Sequence, residues 1–275
     1  MRASLIVNSN SRLGRRHGPR VADALERRGV TLVRDGGAEA VDAIVAAGGD
    51  GTFARAIPLA LERGVPMGLV PLGTFNDLAR TLQIPLELEA ACAVIADAHR
   101  RAIDVAEVNG VYYATEASIG LSSRLTRLQT SEGKQRFGWL AVALSAGAAL
   151  RYLRPFHVEV SYDGAREHLK TLQLTVANSN HFGGFITVGD AAIDDGWLDL
   201  YAVEPRGLRG AAAVARALVR KKRFDAEGLR AYRSVRFQVT TARPHRITAD
   251  GEPAGTTPAC FQILPGALEV FAPAL

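Results

Sequence analysis

The apolar run Ala43-Ile44-Val45-Ala46-Ala47 ends abruptly at Gly48-Gly49-Asp50-Gly51-Thr52, and Thr52 to Arg63 then reads as a helix closed by Gly64. An apolar run without polar alternation suits a strand covered on both faces. Such a strand, running through small residues into a helix, commits this part of the chain to a layered α/β fold. The neighbouring sequence agrees. Ser4 to Asn8 is a short apolar run followed by a helix ending near Arg28-Gly29, Val30 to Val33 is a second strand, and Met67 to Val70 is a fourth, halted by Pro71-Leu72-Gly73. Gly64 is placed as the helix C-cap. The first half is therefore expected to be a doubly wound α/β domain.

The pattern changes after about Arg101. Val105–Thr115, Phe156–Tyr162, Leu169–Ala177, Trp197–Val203 and Val235–Thr241 read as antiparallel strands, many bounded by Gly, Pro, Asp or Asn. Helical stretches at about Gly138–Leu153 and Leu208–Arg223 interrupt them. The expectation is a mainly-β second domain, a sandwich or barrel. The boundaries are drawn at 1–105 and 106–275, with a cleft between the halves and the last few residues returning to the first.

Composition excludes whole classes. At 48% hydrophobic and 22% charged, the 275-residue chain is neither disordered, collagen-like nor a disulfide mini-protein. A net charge of +5 suits nucleotides, phospholipid surfaces or nucleic acid alike and selects none of them. No aromatic-interleaved basic stripe appears, so nucleic acid is not expected as a partner. Cys92 and Cys260 are far apart and read as cytosolic thiols. The N-terminal apolar stretch is too short for a signal peptide, and Phe137–Leu150 falls short of the ~20 residues a membrane span needs. The scattered histidines form no zinc pattern, and no Gly-x-Ser-x-Gly is present.

Two loops carry the chemistry. In Gly48-Gly49-Asp50-Gly51-Thr52, small residues let backbone N–H groups approach a phosphate, and the helix N-terminus adds positive potential. Asp50 can hold a metal-bound water there; Thr52 can cap the helix or touch a phosphate. Asp-Gly by itself is an ordinary turn, and the chain has five, beginning at Asp35, Asp50, Asp163, Asp195 and Asp250. The strand–Gly-Gly–helix context distinguishes this one. No Lys-Ser/Thr follows, so it is not a Walker A loop. Leu69, Val70 and Pro71 stand where a dinucleotide fold wants an acidic residue, so a Rossmann site is disfavoured. Pro71-Leu72-Gly73-Thr74-Phe75-Asn76-Asp77 is a second loop of the same kind. Asn76 or Asp77 serves equally as an ordinary N-cap, and Asp250 as a hairpin residue between Arg246-Ile247-Thr248 and a strand near Phe261.

In their order and spacing these loops resemble the diacylglycerol kinase catalytic-domain family, which includes soluble bacterial lipid kinases and the sphingosine and ceramide kinases. The resemblance extends through Asn8-Ser9-Asn10-Ser11, Gly14-Arg15-Arg16, Arg101-Ala102-Ile103-Asp104, Ala177-Asn178-Ser179-Asn180 with Gly183-Gly184, Ala192-Ile193-Asp194-Asp195-Gly196-Trp197-Leu198-Asp199 and Asp250-Gly251-Glu252. It implies a β-sandwich second domain, ATP in the cleft, and transfer of the γ-phosphoryl group to a lipid hydroxyl. It implies that Gly48, Gly49, Asp50, Gly51 and Thr52 bind the phosphates, with Asn8, Gly73, Thr74 and Asn76 lining the nucleotide pocket. Asp50, Asp77 and Asp104 would form a carboxylate network for the catalytic Mg²⁺. Asp250 would be the general base with Glu252 beside it. Asp195 would hold a structural Mg²⁺, or a calcium ion, together with the carbonyls of Ala192 and Trp197. Phosphoryl transfer rests on positioning and charge neutralisation, which Asp-rich loops suit.

The sequence departs from that pattern at Ser9, at Phe75 and at Thr115-Glu116, where a Pro, a small or polar residue and an Asn are usual. Leu208–Arg223 is amphipathic and basic, with Arg216, Arg220, Lys221 and Lys222 on it and no acidic residue. It reads as a solvated surface helix or as a dock for anionic lipid. The expected protein is a cytoplasmic, peripherally membrane-associated lipid kinase acting on diacylglycerol, with a homodimer left open. An NAD kinase-like phosphotransferase and a catalytically inactive nucleotide- or lipid-binding module are the alternatives.

Overall fold

A computed structural model describes residues 1–8, 12–33, 40–120, 154–179, 181–182, 186–187, 192–204 and 229–274. The expected helices at 138–153 and 208–223, with residues 9–11, Asn180 and Gly183-Gly184, lie outside the described residues.

The first part alternates strands and helices. It runs β1 (Arg2–Val7), α1 (Arg12–Glu26), β2 (Thr31–Val33), β3 (Ala43–Gly48) and α2 (Asp50–Arg63), then β4 (Met67–Pro71), α3 (Asp77–Thr81) and α4 (Leu88–Asp97). Every residue of β3 and β4 is buried, as their unbroken apolar runs require. Gly64 ends α2 in the left-handed region at φ 62°, its N–H returning to the carbonyls of Ala60 and Leu61. Helix α4 lies so close to β4 that a Cβ on Gly68 would meet Ile95 Cγ1 at 2.9 Å.

The remainder is almost entirely strand. β5 (Arg100–Val108), β6 (Val111–Tyr113) and β7 (Glu116–Gly120) come first. β8 (Phe156–Tyr162), β9 (Ala165–Thr171), β10 (Gln173–Ala177), β11 (His181–Phe182), β12 (Ile186–Thr187) and β13 (Leu198–Val203) follow. The chain closes with β14 (Leu229–Ser234), β15 (Arg236–Thr241), β16 (Arg246–Ala249), β17 (Glu252–Thr256) and β18 (Ala259–Phe271).

Among the described residues these strands form a ten-stranded mixed sheet ordered β2-β1-β3-β4-β18-β15-β8-β9, with β5 on β18 and β6 on β5. A six-stranded antiparallel sheet runs β14-β13-β10-β7-β16-β17. The two sheets share an apolar core: Phe156, Val158, Phe237 and Phe261 on one side, Ile119, Val176, Leu200 and Ile247 on the other. Strand β18 belongs to both regions. Its first residues pair with β15, and Val270 pairs in parallel with Met67 of β4. The mixed α/β and β-sandwich architecture agrees with the sequence.

Two expected strands divide. Val105–Thr115 breaks into a β5–β6 hairpin because Asn109 and Gly110 take positive φ, 50° and 85°, the Asn-Gly signature of a tight turn. Leu169–Ala177 breaks at Leu172, leaving β9 in the large sheet and β10 in the small one. Phe237 is fully buried between the sheets, its ring 5.6 Å from that of Tyr162. Phe237→Ala is expected to cost about 3–5 kcal/mol of stability, read from the shift in urea midpoint at unchanged slope.

Candidate active site

Three neighbouring parallel strands of the large sheet, β1, β3 and β4, end side by side. Their C-terminal ends present Asn8, the 48–52 loop and the 72–77 loop along one edge, where open α/β sheets place ligands. Leu72 N–H donates to the Gly48 carbonyl at 2.7 Å, which ties the second loop to the first. The two loops touch through backbone. A Cβ on Gly73 would lie 2.5 Å from Gly49 Cα and 2.6 Å from Asn76 Oδ1, so no side chain fits there. Asn76 stands in the left-handed region at φ 53° and folds its amide onto Gly73, accepting from its N–H at 2.9 Å and donating to its carbonyl at 3.1 Å. Thr74 is exposed at the tip.

Helix α2 starts at Gly49 with no side chain capping it. Thr52 N–H turns back to the Gly49 carbonyl at 2.8 Å, and the helix N-terminus presents its positive potential at the Gly49-Asp50-Gly51 opening. Thr52 Oγ1 is buried there without a hydrogen-bond partner among the described residues, directly behind Gly48. The Asp50 carboxylate turns to the N-terminus of α3, accepting from Leu78 N–H at 3.4 Å. Asn76, one of the two residues offered as an N-cap with Asp77, does stand at the N-cap position of α3, but its side chain makes no capping bond and Asp50 faces that end of the helix instead. Burial raises the Asp50 pKa, against the lowering effect of these backbone N–H groups.

The β16–β17 hairpin closes the site from the other domain. Asp250 sits in its turn at φ 45°, nearly fully buried. Its carboxylate accepts from the N–H groups of Ala114 (2.7 Å), Thr115 (3.0 Å) and Glu116 (3.1 Å) and from the Thr115 hydroxyl. Burial pushes its pKa up; these four donors pull it back. Three of the four reach Oδ1, leaving Oδ2 with room for another hydrogen bond. The strand expected near Phe261 is present as β18, but the hairpin partner of β16 is β17, which begins at Glu252. Its carboxylate lies over α2: a Cβ on Gly51 would be 2.6 Å from Glu252 Oε1. Residues two hundred apart in sequence thus meet across the cleft.

Glu116 belongs to the same region. Its carbonyl accepts from Asp250 N–H at 2.9 Å. Burial first, then the negative charges of Asp250 and Asp77, raise its pKa to about 8. The sequence marked Thr115-Glu116 only as a departure, because nothing local in it shows that β7 will run beside the Asp250 turn.

Asp104 is placed elsewhere. Its carboxylate accepts from Gly196 N–H at 2.6 Å and Gly266 N–H at 2.7 Å, and Arg101 on the same strand grips Asp194 with Nη2 at 2.6 Å. Arg101-x-Ile-Asp104 and the 192–197 turn are thus two halves of one clasp. Among the described residues, no three acidic, His or Cys side chains converge to hold a metal, so the network expected of Asp50, Asp77 and Asp104 is not brought together. A hard cation takes one or two carboxylates and completes its shell with waters and phosphates, and the Asp50 carboxylate at the start of α3 is a group of that kind. No cation pairs with Asp50, Asp250, Glu116 or Glu252 among the described residues.

The turn at Asp195 does not fit the metal expected there. Its carboxylate accepts from the N–H groups of Ala192 at 3.2 Å and Trp197 at 3.0 Å. Arg233, bidentate to Asp199 at 2.9 Å, brings its guanidinium to within 3.5 Å of Asp195. A second cation would compete with that positive charge. Arg233→Met is expected to lower stability by about 1–2 kcal/mol, charged hydrogen bonds discounted for partial exposure. A chelator should leave the wild-type melting temperature unchanged; a fall on chelation would return the turn to a metal.

The chain matches the model of the diacylglycerol kinase catalytic domain over residues 2–108. It matches that of the YegS C-terminal NAD kinase beta sandwich-like domain over residues 115–272. It is 33% identical to a diacylglycerol kinase of Bacillus subtilis (strain 168) over 225 residues, 80% of this chain and 74% of that protein. A diacylglycerol kinase of Staphylococcus aureus (strain JH9) is 27% identical, the match covering 86% of this chain and 76% of that protein. The crystal structure of a putative diacylglycerol kinase from Bacillus anthracis str. Sterne superposes with a TM-score of 0.84 at 24% identity, covering 99% of this chain and 95% of the other. With both halves matched in order and a relative at that identity, the chain belongs to the diacylglycerol kinase catalytic-domain family.

Proposed function

We propose that the protein transfers the γ-phosphoryl group of ATP to a lipid hydroxyl, most simply that of diacylglycerol, giving phosphatidic acid. The observation that carries this reading is the approach of the β16–β17 hairpin to the start of α2, with Glu252 against Gly51 and Asp250 in the turn before it. An acceptor base and a phosphate cradle thereby face one cleft.

The N-terminus of α2 at Gly49-Asp50-Gly51 and the Thr52 hydroxyl hold the phosphates, with Asn8, Gly73, Thr74 and Asn76 lining the nucleotide side. Asp50 and Asp77 would hold Mg²⁺, which supplies charge neutralisation on the phosphates. Asp250 accepts the proton as the acceptor oxygen bonds to the γ-phosphorus and the bond to the leaving ADP breaks. Its burial-raised pKa suits a base of that kind. Asp104 serves at a distance, fixing the 192–197 turn and the bend of β18. Among the described residues no helix is long and apolar enough to cross a membrane, so the acceptor would be met at a membrane surface.

The second reading, phosphorylation of NAD⁺, draws on the name of the matched C-terminal domain. Incubation with γ-labelled ATP and a panel of diacylglycerol, phosphatidylglycerol, a sphingoid base and NAD⁺ separates the two. Label extracted with lipid supports the proposal; label only in a water-soluble dinucleotide overturns it.

A further inference from the structure

Strand β7 alternates cleanly. Ala117 and Ile119 enter the apolar core between the sheets, so Glu116 and Ser118 face the other way. That second face is polar as well as enclosed. Ser118 is buried and pairs its hydroxyl with that of Thr248 at 3.1 Å; Thr175, opposite it on β10, is buried and accepts from Gln173 Nε2 at 3.1 Å. Glu116 heads this row, at the end nearest Asp250. Its own carboxyl has no hydrogen-bond or ion-pair partner among the described residues, and the residue is half-buried, so the carboxyl is partly desolvated and still reachable. A carboxyl left so is costly unless a ligand completes it.

We propose that Glu116 is an acceptor-binding residue: its carboxyl hydrogen-bonds the hydroxyl-bearing end of the acceptor and holds it for Asp250. The inference rests on the lipid-kinase reading and extends it. Burial and the neighbouring Asp250 and Asp77 charges raise the Glu116 pKa, which favours the neutral carboxyl, a group that donates as well as accepts. The acceptor it suits carries a polar, alcohol-bearing head with a vicinal oxygen, as a glycerolipid does, because a carboxylic acid offers one donor and one acceptor side by side.

The test compares Glu116→Ala and Glu116→Gln with the wild type on diacylglycerol in mixed micelles. Lipid and ATP are titrated separately, and melting is followed in parallel. Losing the contact should raise the lipid KM of Glu116→Ala about tenfold, a hydrogen bond to a buried partner being worth about that factor. Its ATP KM should stay unchanged. Glu116→Gln, which keeps a donor and an acceptor, should restore the lipid KM to within about threefold. Neither substitution should lower the melting temperature, because the half-buried carboxyl makes no hydrogen bond or ion pair among the described residues that would be lost. Unchanged lipid kinetics in Glu116→Ala would overturn the proposal. So would loss of ATP binding in both variants, which marks a nucleotide or metal ligand, or a fall in melting temperature that accounts for the lost activity. A wild type that phosphorylates no lipid overturns the lipid-kinase reading and this inference with it. An active wild type beside an unaffected Glu116→Ala overturns this inference alone.

Discussion

Asp250→Asn is expected to slow turnover by about 10²–10⁴-fold, the usual contribution of a positioned general base, while ATP binds as before. The structure supplies both halves of that expectation. Asp250 is held by N–H groups of residues 114–116 on the sandwich side, whereas the phosphate cradle is built from β3, β4 and α2. An Asn side chain can keep an oxygen facing the N–H groups of Thr115 and Glu116, so the turn should survive. The position of Oδ2 would then hold an amide nitrogen, which cannot take a proton and would sit against Ala114 N–H. A small loss of stability is therefore expected beside the large loss of rate. Calorimetry gives nucleotide affinity, and single-turnover kinetics give the chemical step. Normal turnover would leave Asp250 a hairpin residue; parallel loss of affinity and rate would make it a ligand of nucleotide or metal.

Asp50→Asn should remove turnover by about 10³-fold or more, because neutralising the transferring phosphoryl group is worth several kcal/mol. The amide can still accept from Leu78 N–H through its oxygen, so α3 keeps its cap and the fold its stability. It loses the charge that would hold Mg²⁺. Burial already makes the Asp50 carboxylate costly, so Asp50→Asn should melt at the wild-type temperature or slightly above. The discriminating measurement is ATP affinity with and without Mg²⁺. The wild type should gain affinity from the ion and the variant should gain little. Equal gains, or near-normal turnover, would remove Asp50 from the metal.

The architecture was legible where local pattern and long-range packing say the same thing. The all-apolar β3 and β4 had to be central strands, and Gly64 ended α2 where expected, at positive φ. The closeness of Gly49 and Gly73 explains why two small-residue loops recur at adjacent strand ends. Asn109-Gly110 carried a turn signal that reading 105–115 as one strand passed over. The site was less legible, because acidic residues in loops look alike in sequence. Asp50, Asp104, Asp195 and Asp250 all lie near glycines. Only the fold shows that Asp104 grips backbone, that Asp195 shares the Arg233 guanidinium with Asp199 and that Asp250 rests among N–H donors. Glu116 and the double pairing of β18 depend on strands that meet across large sequence separations, which no local pattern encodes.

Lipid phosphorylation is tested most directly by stoichiometry. The purified chain is given Mg²⁺, ATP and diacylglycerol in mixed micelles, and ADP and organic-phase phosphomonoester are measured together by ³¹P NMR. One phosphomonoester for each ADP, abolished by a chelator and absent in Asp250→Asn, is the predicted result. ADP accumulating with inorganic phosphate and no lipid phosphomonoester, or no ADP at all, would contradict it.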